Sequence, residues 1–389
     1  MLDFSDTRLA FQAKSDQELR HTFRLMRLID SPFLTKVGPP ILNAAFKINL
    51  PIQGLVKKTL YGQFCAGEDL EASTQTTQAL FDYGVRTILD YAVEGEKTEA
   101  GFDATLKEML ATLRHGKTHE AVAFTACKLT GLGNVDLMAK KQTGNPLNEE
   151  EQAAFLRIKD RLHQMGKLAQ ELGTPFFIDA EESWIQDVID AIAEELMAKY
   201  NQDRPIVYTT VQLYRHDRLE YLRGLMLRSR EQGYVLGVKL VRGAYMEKEA
   251  DRAEEKGYPN PIQPNKAATD RDYDAALRLC IEHLDRVAVC AGTHNESSSR
   301  YLAQLMRERG VSANHPHIWF AQLLGMSDHI SFNLAHNGYN TAKYLPYGPV
   351  KAVMPYLIRR AEENTSIAGQ ASREVDLLTR EVKRRRQSL

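Results

Sequence analysis

The sequence predicts an α/β chain built on a closed parallel (βα)8 barrel, and three observations carry that prediction. From Arg86 onward, short apolar runs rich in β-formers alternate with longer stretches of helical period, the pattern of a parallel sheet with crossover helices. Eight such runs can be counted, the number that closes a barrel. Their C-terminal ends carry polar or ionisable residues almost throughout, and a barrel gathers those ends on one face. The 389 residues exceed the roughly 250 that a barrel needs, so a helical N-terminal region is expected ahead of it.

In chain order the predicted strands are 86–91, 121–128, 175–179, 206–214, 235–242, 287–294, 318–324 and 341–344. Helical patterns at 149–172, 183–200, 217–232, 273–284 and 297–309 lie between them, each with apolar residues at three- and four-residue spacing. The strand ends read 90–94, Lys128, Asp179, Gln212, 239–245, Thr293-His294-Asn295, 322–326 and Tyr344. One polar strand end is ordinary, but eight converging on one face make a site. The alternative, an open doubly wound sheet binding a dinucleotide, would carry a G-x-G-x-x-G turn after its first strand, and none is present.

Composition narrows the function. Lys and Arg number 50 against 51 Asp and Glu, a formal charge of −1, so no general field attracts nucleic acid. Cys65, Cys127, Cys280 and Cys290 form no C-x-x-C pair, which speaks against a zinc site or disulfide framework and suits a reducing compartment, the cytoplasm by default. The first residues are acidic and lack an apolar run, unlike a secretory signal or an Arg-rich transit peptide. No stretch reaches the ~18 uninterrupted apolar residues of a spanning helix. The best candidate, 37–60, is broken by Pro39, Pro40, Lys47, Pro51, Lys57 and Lys58. That segment reads as a buried arm, or as a bilayer-surface stretch because apolar residues alternate with lysines. The basic run at 383–386 reads as a solvated tail, or as a contact with anionic lipid.

The motif that carries most chemistry lies at 356–364. Counted from Tyr356, the residues Arg359, Arg360, Glu363 and Asn364 fall at steps of 3, 4, 7 and 8, one face of a helix. Adjacent guanidiniums repel, and Glu363 stands at i+4 from Arg359 and i+3 from Arg360 to hold them together. Such a face can clamp a carboxylate, although RR-x-x-E alone also describes an ordinary surface helix. Lys239 and Arg242 precede a Gly243-Ala244 turn and Tyr245, where backbone can approach a phosphate-bearing cofactor closely. Asn265 and Lys266, with Thr293, His294 and Asn295, add donors for a pyrophosphate and its sugar or base. An isolated His294 would more commonly be satisfied in the core.

Six ordered motifs together resemble the proline dehydrogenase family. They are Asp179-Ala180-Glu181-Glu182, the 239–245 segment, Thr293-His294-Asn295, Gln322-Leu323-Leu324-Gly325-Met326, Tyr344-Leu345-Pro346-Tyr347-Gly348-Pro349 and 356–364. The resemblance runs from about 86 to 368. It divides the chain into a helical arm (1–80), similar to that of the monofunctional branch, and a barrel with a C-terminal helical tail (81–389). It implies a distorted (βα)8 TIM-type barrel with the last helix over its mouth, bound FAD, and oxidation of L-proline to Δ1-pyrroline-5-carboxylate. Electrons would pass to a membrane quinone from a protein held peripherally at the inner face of the cytoplasmic membrane.

By the same resemblance, Arg359, Arg360 and Lys128 would grip the substrate carboxylate, while Tyr344, Tyr356, Tyr245 and Leu324 enclose the ring. Asp179 would balance the cations, through Lys128, and belong with the cofactor. Lys239 would sit beside the flavin, with Gln212, Arg242, Gly243, Ala244, Tyr245, Asn265, Lys266, Thr293, His294, Asn295, Gln322 and Glu363 holding the rest of the FAD. Glu94 would pair with Arg359 as a gate over the substrate. No metal is implied. Met246 and Asn265 depart from the aromatic and the Thr usual in the family, so flavin contacts there are expected to differ. Hydroxyproline dehydrogenases tend to carry a smaller residue in place of Tyr344, which favours proline. Other readings are a hydroxyproline dehydrogenase, a barrel aldolase using Lys128 or Lys239 as a Schiff base, and a non-catalytic proline sensor.

Overall fold

The computed structural model describes residues 2–29, 53–93, 96–366 and 370–387. Eight parallel strands close a barrel in sequence order. They are β1 (Arg86–Tyr91), β2 (Val122–Cys127), β3 (Phe176–Ile178), β4 (Val207–Gln212), β5 (Leu236–Val241), β6 (Val287–Gly292), β7 (Ile318–Leu323) and β8 (Thr341–Tyr347). β1 closes the ring on β8, with Ile88 opposite Tyr344 and Asp90 opposite Pro346. The barrel expected from the sequence is therefore the barrel observed.

Most strands are shorter than their apolar runs. Lys128, Asp179 and His294 lie one or two residues past the ladder, where side-chain hydrogen bonds and helix caps replace strand pairing. β8 goes the other way and continues three residues beyond the expected 344, through Pro346. Proline lacks an N–H, but here its carbonyl accepts from Ala66 N at 2.9 Å and the Tyr347 carbonyl accepts from Ala92 N at 3.1 Å, so the strand end stays paired.

Strand alternation separates two cores. In β5, Leu236, Val238 and Leu240 face the outer helices, packing with Leu222, Leu225 and Leu277. Lys239 consequently turns into the barrel. The barrel floor is aromatic: Phe124 stacks on Phe177 with centroids 4.5 Å apart and meets Tyr208 and Trp319 edge-on at 5.3 and 5.2 Å. Gly237 makes room for that floor, since a Cβ there would come within 2.7 Å of the Tyr208 ring. An apolar plug thus leaves the C-terminal end of the barrel as the open end, the usual location of chemistry in this architecture.

A second apolar cluster joins the chain ends. The Asp16–Ile29 helix contributes Leu19, Leu25 and Met26, and the Gln370–Gln387 helix contributes Leu377 and Leu378. Both pack with Tyr356 and Leu357 of the Met354–Ser366 helix. The basic run at 383–386 is therefore not a simple solvated tail. Arg384 and Arg385 both grip Glu381, and Arg385 also donates to Asp16 at 2.8 Å and to the Phe11 and Lys14 carbonyls. Of the 37–60 segment, 37–52 lies outside the described residues, and 53–60 is helical. Among the described residues no helix is long and apolar enough to cross a membrane, no acid, His or Cys cluster suits a metal, and all four cysteines are buried and free.

Candidate active site

The inward-facing residues at the C-terminal ends of β1, β2, β3, β5 and β8 meet above the aromatic floor. Asp179 accepts hydrogen bonds from the Lys239 Nζ and, at 2.7 Å, from the Tyr344 hydroxyl. Lys128 Nζ lies 2.9 Å from Asp90 and 3.8 Å from Asp179. Lys239 also rests 5.1 Å from the ring centroids of both Phe177 and Tyr344. Two ammonium groups and two carboxylates thus share one desolvated cluster around a phenol. The expected Lys128–Asp179 balance is the looser contact; Lys239 is the main partner of Asp179, because β5 places its side chain directly into the barrel.

The two acids titrate in opposite directions. Burial pushes Asp179 up, but Lys239 and Lys128 outweigh it and hold its carboxyl below the ordinary range. Burial pushes Asp90 up, the negative charge of Asp179 adds to it, and Lys128 offsets only part, so Asp90 sits above the ordinary range. Burial, then Asp179 and Asp90, raise Tyr344 far above a free phenol, so it stays a neutral donor. Asp90 had stood out in the sequence only as a polar strand end. Its signal was its parity: in a strand whose apolar Ile88 faces inward, residue 90 must face inward too.

A second group of predicted residues surrounds the ends of β5 and β6. Arg242 donates to Asp270 at 2.8 Å, Thr293 at 2.7 Å and Ser298 at 3.0 Å, with its guanidinium over the Tyr273 ring. Lys266 pairs with the same Asp270. Asn265 and Asn295 are the N-caps of the Lys266–Glu282 and Glu296–Glu308 helices, accepting from Ala268 N at 2.9 Å and Ser297 N at 2.8 Å. The N-termini of two long helices, with Arg242 and Lys266 between them, make a fitting seat for a pyrophosphate. Gln212 leaves its buried Oε1 without a partner while its amide donates to the Glu181 carbonyl at 2.7 Å. Gly243 and Ala244 are exposed beside it. An orphaned acceptor, an open backbone turn and two helix N-termini fit a dinucleotide-type cofactor such as FAD.

Gly243 has a conformational reason to be glycine. Its φ is 142°, and a Cβ would come within 2.4 Å of the Tyr214 ring. Gly243→Ala is expected to displace the turn and lower stability by about 1–3 kcal/mol, read by urea denaturation. An unchanged midpoint would mean that the turn relaxes freely.

His294 and Gln322 are tied to a part of the chain that sequence reasoning did not reach. His294 Nδ1 lies 2.9 Å from Ser327 Oγ. Burial, with the charges of Lys343 and Arg360, pushes His294 down to about 3, so the ring is neutral. Ser327 holds a left-handed backbone (φ 53°) and donates its N–H to Glu374 at 2.6 Å. Gln322 donates to the Thr293 carbonyl at 3.1 Å and accepts from Ser331 at 2.7 Å. A buried acid on the C-terminal helix therefore braces the loop after β7; no local motif advertises such a long-range contact.

The Met354–Ser366 helix brings its arginines to the same end of the barrel. Arg359 lies 5.9 Å from the ring centroid of Tyr245, and the buried Arg360 lies 5.1 Å from that of Tyr356. Arg360 also acts electrostatically on His294. Tyr344, Tyr356 and Leu324 are buried or half-buried, and Leu324 N donates to the Tyr344 carbonyl at 3.0 Å. Glu94 and the Glu363 side chain lie outside the described residues. A Schiff-base lysine must be available as a free amine. Lys128 and Lys239 are each engaged in an ion pair with a buried carboxylate, so neither Nζ stands free to attack a carbonyl, which speaks against an aldolase.

A family model described as proline dehydrogenase matches residues 73–373. The chain belongs to the proline dehydrogenase family. "Proline dehydrogenase 1, mitochondrial" of Dictyostelium discoideum is 30% identical over 98% of this chain and 74% of its own length. "Carbapenem antibiotics biosynthesis protein CarD" of Pectobacterium carotovorum subsp. carotovorum is 34% identical over 86% of each chain. "Hydroxyproline dehydrogenase" of Xenopus laevis is 31% identical over 99% of this chain and 90% of its own. Among solved structures, proline utilization A from Bdellovibrio bacteriovorus, inactivated by N-propargylglycine, superposes with a TM-score of 0.71 at 20% identity. That match covers 92% of this chain and 38% of the longer polypeptide, and it shows the TIM-type fold. The chain is accordingly an oxidoreductase of the proline dehydrogenase family.

Proposed function

We propose that this chain oxidises L-proline to Δ1-pyrroline-5-carboxylate with FAD as its cofactor, passing the electrons to a membrane quinone. The observation that carries the reading is a buried lysine–aspartate–tyrosine cluster at the barrel end, together with two adjacent arginines, Arg359 and Arg360, beside Tyr245 and Tyr356. Arg359 and Arg360 hold the substrate carboxylate, with Lys128 adding a third positive charge. Tyr344, Tyr356, Tyr245 and Leu324 enclose the ring, and Glu94 pairs with Arg359 as a gate. Asp179 fixes Lys239 and orients the Tyr344 hydroxyl, so the cluster keeps its geometry without reorganising when substrate enters.

Gln212, Lys239, Arg242, Gly243, Ala244, Asn265, Lys266, Thr293, His294, Asn295, Gln322 and Glu363 hold the cofactor, with Asp179 and Tyr245 completing the set. FAD, when bound, supplies the acceptor for the hydride from proline C5. The protein's share is to hold C5 in a near-attack position and to keep water from the ring. The ring nitrogen must lose its proton, because an ammonium has no lone pair from which an imine can form. The helical arm (1–80) and the barrel with its tail (81–389) form the two parts of the enzyme, which works at the inner face of the cytoplasmic membrane.

The purified protein should show oxidised-flavin bands that bleach when L-proline is added anaerobically; a colourless protein, or bands unmoved by proline, would refute the reading. Oxidation of hydroxyproline is the second reading. Tyr344 argues against it: the phenol is buried and donates to Asp179, so it is not free to swing aside for a ring hydroxyl. The ratio of kcat/KM for L-proline over 4-hydroxy-L-proline is expected to exceed about 10, and Tyr344→Ser is expected to narrow it. Equal values for the parent protein would remove Tyr344 as the discriminator.

A further inference from the structure

The two helices at the chain ends build a second charged feature, separate from the barrel. On the Asp16–Ile29 helix, Arg20, Phe23, Arg24 and Arg27 fall at steps of 3, 4 and 7, one face. On the Gln370–Gln387 helix, Thr379, Val382, Lys383 and Arg386 repeat the same steps. These two faces line one groove of about 440 Å³. It holds five cations and no carboxylate, with Phe23 and Val382 as its apolar floor. Leu28, at i+4 from Arg24, stands 55% exposed beside it.

Two acids on these helices are engaged away from the groove. Glu381 is buried and held by Arg384 and Arg385, and Asp16 is paired with Arg385. Among the described residues none of the five cations has an ion-pair partner. The 30–52 stretch that follows the first helix carries a single acid, Asp30, against Lys36 and Lys47, so its composition does not supply the missing charge. Five like charges within about a Debye length repel one another, which an anionic partner relieves. An apolar floor between cations is the chemistry of an interfacial amphipathic surface, where headgroup phosphates meet the arginines and acyl chains meet the aromatic ring. The 30–52 stretch, rich in Phe, Ile and Leu, continues directly from the groove helix, which favours lipid over an acidic polypeptide.

We infer that this groove is the surface by which the chain docks on an anionic phospholipid bilayer. The inference deepens the proposed membrane acceptor by naming the docking surface, and its test needs neither substrate nor turnover. The full-length protein is sedimented with vesicles of phosphatidylcholine alone, or with about one third phosphatidylglycerol. Binding to the anionic vesicles alone is expected, unaffected by millimolar inorganic phosphate. The double variant Arg24→Gln/Lys383→Gln should partition about 30-fold more weakly, from roughly a fivefold loss per cation. The control Arg114→Gln/Lys117→Gln removes the same charge from another exposed surface and should bind as the parent does.

Equal loss in both variants would reduce the effect to net charge and overturn the assignment. So would undiminished binding by the groove variant, or no binding by the parent, which would turn the groove toward an acidic polypeptide. Displacement by free phosphate would make it a small-anion site and likewise refute lipid docking. Dye-linked proline oxidation in solution, measured on the same groove variant, is expected to be unchanged; this separates failure of the docking surface from failure of the proposed activity.

Discussion

Replacing Arg360 by methionine is expected to lower kcat/KM for L-proline by about 100-fold or more, roughly 3 kcal/mol of lost interaction with the substrate carboxylate. Methionine preserves much of the side chain's bulk, so the cluster around Tyr356 and Leu357 stays filled. The loss should fall mainly on KM, because a carboxylate grip acts in the ground state as well as the transition state. Some stability should be lost as well, because Arg360 is buried and engaged in the fold. Steady-state kinetics with an artificial acceptor and urea denaturation read both effects. An unaltered kcat/KM would leave the arginine helix without its assigned role.

Removing Asp179 is expected to be the most damaging change to the fold of the site. Asp179→Ala leaves Lys239 buried without its counter-charge and takes the acceptor from Tyr344, which should lower stability by about 3–5 kcal/mol. Adding Lys239→Met should recover a large part of that loss, because an apolar pair of similar volume needs no compensation. The deficit also has a predictable pH dependence. The Asp179 carboxyl is held below its ordinary value in the folded state, so its contribution is fully present above about pH 4 and is lost as the pH falls through the lower folded value. The gap between parent and variant should therefore narrow below about pH 4. Denaturation midpoints at neutral and acid pH test this, and a gap that widens toward acid would mean that the fold favours the protonated form of Asp179, its carboxyl raised rather than lowered.

The groove between the chain ends also stands one layer from the active site. Leu19, Leu25 and Met26 on one side, with Leu377 and Leu378 on the other, pack against the helix that carries Tyr356, Arg359 and Arg360. Whatever holds those two helices therefore also supports the arginine pair from behind. Glu374 adds a second tie, from the C-terminal helix to the Ser327 turn and through it to His294.

Alternating apolar runs and helical periods were enough to give the barrel, because each strand buries both faces and each helix one, and that pattern is written locally. The parity of a strand fixed which side chains turn inward, and the 3.6-residue period put Tyr356, Arg359 and Arg360 on one face. Which inward groups would pair was not local information. Lys239 and Asp179 are far apart in sequence, and only closure of the ring brings them together; the same closure made Asp90 a member of the charged cluster. Brackets such as Glu374 on Ser327, or Arg385 on Asp16, depend on where the terminal helices dock. Helix propensity and charge pattern establish that those helices exist, while the fit of their apolar faces against the barrel decides which polar groups meet.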